Sequence, residues 1–133
     1  MTETTSCGCG IAPKLVYSCS GAADVGELCD KAARTLAREG VGKMYCLAGV
    51  GGGVDVMVAN ARAAAATLVL DGCDKDCARK TLENAGVENI VHLRASDYGF
   101  EKGASPVIPE NVERLVAQAR QLLKCWTGED RLT

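Results

Sequence analysis

Four times along this chain a short apolar run is followed by residues whose apolar positions recur at helical spacing. The runs at 15–19, 43–48, 68–71 and 89–93 have the length of strands rather than of buried helices. After the first run, Val25, Leu28, Cys29, Ala32, Ala33 and Leu36 form one apolar stripe. Asp24 and Glu27 stand where an N-cap and its capping-box partner belong, and Gly40 stands where a helix would stop. After the second come Gly49-Val50-Gly51-Gly52-Gly53 and a short helix starting near Val54. A helix over 76–84, ended by Gly86, follows the third. The fourth leads into a long connection, 95–109, that carries Tyr98-Gly99-Phe100 and leaves at the same sheet edge as the other strand ends. A last helix opens at Pro109, with Val112, Leu115, Val116, Ala119, Leu122, Leu123 and Trp126 on its stripe.

Strands alternating with helices predict a parallel sheet covered on both faces. The expected fold is a three-layer α/β domain, Rossmann-like or flavodoxin-like, with a four-stranded sheet. Right-handed crossovers narrow the strand order to 2-1-3-4. The 133 residues suit one domain. It is expected over 13–126, between a Cys/Gly leader at 1–12 and a polar tail at 127–133. Aromatic residues make up only 4% and many apolar positions are Ala or Val, which suits helices packed close on a sheet. A net charge of −2 without a basic run argues against nucleic acid or an anionic membrane as partner. No apolar stretch approaches the roughly 20 residues of a membrane span. Met1-Thr2-Glu3-Thr4-Thr5 has neither a basic nor an apolar region, so a secretory signal is not expected and the cytoplasm is the simplest location.

Eight cysteines need a reason in such a chain. In a cytosolic protein they are more often metal ligands, redox thiols or core residues than a disulfide scaffold. Cys19, Cys46 and Cys73 each fall at or near the end of a predicted strand, one βα unit apart, and Cys77 opens the helix that follows Cys73. Topology would gather them where ligands bind in such sheets, outside the carboxyl ends of the strands at the point where strand order reverses. Adjacent strands lie roughly 4.8 Å apart and a zinc–sulfur bond is about 2.3 Å, so thiolates from neighbouring strands can share an ion. We therefore expect one metal site of Cys19, Cys46, Cys73 and Cys77, with zinc as the ion or iron in its place. The start of the helix at 76–84, with Lys75 and Arg79, is expected to offset the negative charge of the thiolates. Asp71 is either an oxygen ligand or a cap for the turn. Cys46 is the least secure member, because the second strand runs on toward Gly49. Cys29 lies on a helical stripe and reads as a small core residue. Cys125 falls off its stripe, Cys7 and Cys9 sit in the leader, and His92 reads as a structural residue near a strand end.

The stretch Asp71-Gly72-Cys73 with Cys77 resembles the signature of the DGC-domain family, named for that tripeptide. The resemblance extends from about Lys14 to Leu123 and takes in Cys19-Ser20-Gly21-Ala22-Ala23-Asp24 and Cys46-Leu47-Ala48-Gly49. The family is described as zinc-binding through four cysteines, which match Cys19, Cys46, Cys73 and Cys77 here. It implies no reaction.

A thiol enzyme is the alternative. Cys73 to Arg79 fits C-x5-R, the oxyanion loop of cysteine phosphatases and arsenate reductases, although Asp74 and Asp76 would repel an anion there. Redox chemistry is a further form of it, with Cys73 and Cys77 as a disulfide pair and Cys19 resolving. The glycines at 49–53 do not match a phosphate-binding loop, since no Gly-Lys-Ser/Thr follows.

Overall fold

The computed structural model describes residues 13–124. In chain order the elements are β1 (Lys14–Ser18), α1 (Asp24–Arg38), β2 (Lys43–Met44), α2 (Leu47–Gly51), α3 (Asp55–Ala63), β3 (Ala66–Asp71), α4 (Cys77–Asn84), β4 (Ile90–Arg94) and α5 (Pro109–Leu122). A single 3-10 turn, Ala95–Tyr98, follows β4. All strand pairs are parallel and the order is β2-β1-β3-β4, as the alternation of elements predicted. Cys7, Cys9, Cys125 and Trp126 lie outside the described residues.

Side chains alternate across the sheet and build two cores. Val16, Leu68 and Leu70 face α1 and α5, where Leu28, Ala32, Leu36, Leu115 and Ala119 are fully buried. Leu15, Tyr17 and Val69 face the other way, against Val50, Ala78 and Leu82. Every residue of β3 is buried, as a central parallel strand covered on both faces requires.

The second strand departs from expectation. Only Lys43 and Met44 pair with β1, and the Tyr45 N–H gives the last bond of the ladder to the Val16 carbonyl (2.9 Å). Residues 47–48, read as strand, instead begin α2, because Leu and Ala favour helix and no neighbour lies beyond this edge to hold them extended. The region after β2 thus holds two helices rather than one. They pack closely: a Cβ on Gly49 would lie 2.7 Å from Cγ of Met57 on α3.

Two other glycines shape the carboxyl edge. A Cβ on Gly26 would meet the Gly21 carbonyl oxygen at 2.6 Å, and one on Gly72 would meet Val25 Cγ2 at 2.8 Å and the Val25 backbone at 2.9 Å. The first turns of α1 therefore press directly on the loops that leave β1 and β3. Asp24 was expected to cap α1 but is its first residue, with Ala23 at the N-cap. Its carboxylate accepts the Val25 N–H (2.8 Å) and reaches across to the N–H groups of Gly103 and Ser105 (3.0 Å each). The long connection after β4 is thereby tied back over the same edge.

Candidate functional site

Asp71 ends β3 almost completely buried, at 1% exposure. Its Oδ1 accepts the Ala78 N–H (2.8 Å) and its Oδ2 accepts the Arg79 N–H (3.1 Å), so it caps α4 from within the sheet. His92 Nε2 lies 2.9 Å from the same Oδ2. Asp76 just precedes α4 in the left-handed region (φ 54°) and meets Arg94 through two bonds, 2.8 and 2.6 Å. The hydrogen bonds from Arg94 hold the Asp76 carboxyl below the usual carboxylate range.

In this arrangement Asp71 caps α4, and it takes up part of the expected offset for thiolates. The N–H groups at the start of α4 are turned to Asp71, and the Arg79 guanidinium pairs with Glu83 (3.0 Å). The C-x5-R stretch consequently closes on a carboxylate of its own chain, in the place an oxyanion would need.

Cys19 follows β1 directly, its N–H donating to the Leu70 carbonyl (2.9 Å). The neighbouring Cys29 thiol, the largest influence, and the N–H groups of Gly21 and Gly72 favour its ionised form. Together they outweigh partial burial and lower the Cys19 pKa from 9.0 to about 6. Cys29 itself is fully buried, and its own pKa is pushed up by Cys19 and then by burial. Each residue of Asp71-Gly72-Cys73 has a separate setting: the aspartate anchors α4, the glycine admits α1 and Cys73 is half-buried.

The cysteines stand around the edge in different settings. Cys19 and Cys46 line one cleft of about 820 Å3, together with Ser20, Arg34 and Tyr45. Arg34 is bonded to Asp30 (2.8 Å), which in turn accepts from the Ser20 hydroxyl (2.9 Å). Because β2 ends early, Cys46 is not too deep: it is the exposed N-cap residue of α2. Cys73 is half-buried in a neighbouring cleft with Ser96, Phe100 and Lys102, so the long connection does flank a site cysteine. Cys77 is exposed at the first position of α4. Beneath the first cleft the Tyr17 hydroxyl is buried without a partner, its ring edge-on to Tyr45 at 6.2 Å. Burial raises the Tyr17 pKa, and the charges of Tyr45 and Cys46 raise it further. Among the described residues, the group of three metal-ligating side chains with all ligand atoms within 4.8 Å of one another is Asp71, Asp76 and His92 rather than the thiols.

Cys29 is a fully buried core residue of α1, as its place on the apolar stripe predicts.

A parallel α/β sheet with free thiols along its carboxyl edge and an Asp-Gly-Cys at the end of β3 defines the class of protein. The chain belongs to the DGC-domain family, whose model matches residues 15–119. It is 36% identical over 110 residues to the anaerobic and virulence modulator AnvM of Pseudomonas aeruginosa (strain PAO1), across 82% of this chain and 84% of that protein. No solved structure matches it. No helix among the described residues is long and apolar enough to cross a membrane.

Proposed function

We propose that the protein is a small cytoplasmic metal-binding protein that holds one zinc ion, or iron in its place, through Cys19, Cys46, Cys73 and Cys77. The observation that carries this reading is the row of free thiols along the carboxyl edge, with Cys19 and Cys46 lining one cleft. The Cys19 pKa is lowered, and a thiolate is the form that binds metal. The donor set suits a soft ion: four free thiols stand at the ends of β1, β2 and β3 and at the start of α4. To meet on one ion, the exposed Cys46 and Cys77 side chains turn inward from where they now lie. The orphaned Tyr17 hydroxyl, close enough to Cys46 to feel its charge, would then find a sulfur to bond. Bound there, the ion would clasp three βα units together. The Pseudomonas relative is named an anaerobic and virulence modulator. From that name we carry to this chain a modulating role under anaerobic conditions.

A second reading, thiol-based redox chemistry at the same edge, is favoured by the free thiols that stand along it. Elemental analysis of untagged protein, with a free-thiol count before and after denaturation, separates the two. Stoichiometric zinc or iron with four thiols protected until the ion is stripped supports the metal site, and Cys73→Ser should then lower metal content and melting temperature. Protein that holds no metal and alkylates rapidly near neutral pH overturns it in favour of redox chemistry.

A further inference from the structure

A groove of about 440 Å3 lies between the second half of α1 and the start of α5. Lys31, Arg34 and Arg38 line it from α1 at helical spacing, so three cations share one face. The chain as a whole carries a net charge of −2, which sets this face apart. Lys31 meets Glu27 (3.7 Å) and Arg34 meets Asp30 through Nε (2.8 Å), but neither acid lines the groove. Arg38 donates to the Thr35 hydroxyl (3.4 Å) and meets no carboxylate among the described residues. Glu113, the acid among the lining residues, is paired with Arg120 (3.2 Å). The side formed by the approach to α5 is apolar. Val107 and Val112 are half-buried against the core, and Ile108 is 42% exposed. Ile108 is also the N-cap residue of α5 and makes no side-chain cap bond, where Ser, Thr, Asp or Asn would make one. Its side chain therefore adds neither a cap nor core burial, and it gives the groove an apolar contact.

We propose that this groove docks an acidic segment of a partner protein. Carboxylates of the segment pair with Lys31, Arg34 and Arg38, and an apolar side chain among them covers Val107, Ile108 and Val112. Charge complementarity selects this occupant. A second copy of the chain joined by two-fold symmetry would set two cationic faces against each other. A nucleic-acid strand would answer the cations and leave the aliphatic side chains without a match. Arg34 also lines the cleft that Cys19 and Cys46 share, so a docked segment lies beside the thiols. The inference goes beyond the metal reading and does not depend on it.

The test uses the full chain as purified. The probe is a fluorescent peptide of alternating glutamates and leucines, compared with a glutamate–glycine peptide and a lysine–leucine peptide. Anisotropy reads affinity, and amide chemical shifts of isotope-labelled protein locate the contact. The expected result is saturable binding of the glutamate–leucine probe, weakened by salt, with shifts along α1 and at the start of α5. Arg38→Glu and Ile108→Asp should each weaken binding by about tenfold or more. Ile108→Asp places a preferred residue at the N-cap, so the melting temperature should not fall, and the loss reports docking rather than folding. Lys80→Glu, an exposed change on α4, should leave binding unaltered. Failure of the probe to bind, shifts that fall elsewhere, or equal binding of all three peptides would overturn the proposal. So would an equal loss in Lys80→Glu and Arg38→Glu, which would reduce the effect to net charge. Self-association of the unliganded chain that Ile108→Asp abolishes would also overturn it, by placing a second copy in the groove.

Discussion

Asp71 and Cys19 sit at the ends of neighbouring strands, and the structure treats them differently. Both Asp71 oxygens are engaged, by two backbone N–H groups and by His92, and the adjoining Asp76 is engaged by Arg94. That group is closed: its charges answer one another, and its consequence is the position of α4. Cys19 instead has its pKa lowered and lines an open cleft. Anchoring calls for complete pairing, while reactivity or metal binding calls for an electron-rich atom with an approach left free. The edge divides these tasks between two strands, and Gly72 joins them.

The sharpest way to break this contrast is Asp71→Ala. It strands two N–H groups at a buried helix start and should cost about 3 kcal/mol in denaturant unfolding. A change of less than about 1 kcal/mol would mean that α4 does not depend on the buried cap. Gly72→Ala comes next, since its Cβ would lie 2.8 Å from Val25 Cγ2. Overpacking there should cost about 2 kcal/mol. It should also loosen the Cys19 cradle, seen as slower iodoacetamide modification at pH 7.

The Cys19 side sharpens through pH. Its pKa falls from 9.0 to about 6 on folding. Above about pH 9 the thiol is ionised in both folded and unfolded chains, and its full contribution to stability is present. Between about 9 and 6 the unfolded chain binds the extra proton, so stability declines as pH falls, and the contribution is gone below about 6. Alkylation of metal-free protein should accordingly reach half its maximal rate near pH 6 in wild type. In Cys29→Ala, which removes the largest influence, the midpoint should rise toward 9.0. An unmoved midpoint would show that Cys29 does not support the thiolate. The smallest effect belongs to Arg79→Ala. Its side chain pairs only with exposed Glu83, so stability should change by less than about 0.5 kcal/mol and the Cys19 alkylation profile should be unaltered.

Much of the fold was legible because it rests on local periodicity. Stripes such as Leu28-Ala32-Leu36 and runs such as 68–71 report which face is buried without reference to any other element. The second strand was read too long because an apolar run at a sheet edge carries no sign of where its partner stops. The candidate site was legible only in part. Four cysteines near strand ends could be placed along one edge, yet which donors reach each sulfur depends on approach between distant segments. Cys29, by contrast, was legible as core, because a stripe position says which way a side chain faces.

By itself, then, the sequence determined four βα units, the 2-1-3-4 order and the gathering of thiols at the carboxyl edge, since each follows from periodicity and crossover handedness. Tertiary structure decided that Asp71 would hold α4 and that the C-x5-R stretch would close on that carboxylate. Those outcomes turn on bonds of 2.8 and 3.1 Å between the end of β3 and the first turn of α4. Spacing along one chain does not encode such distances; they emerge when the helices settle onto the sheet.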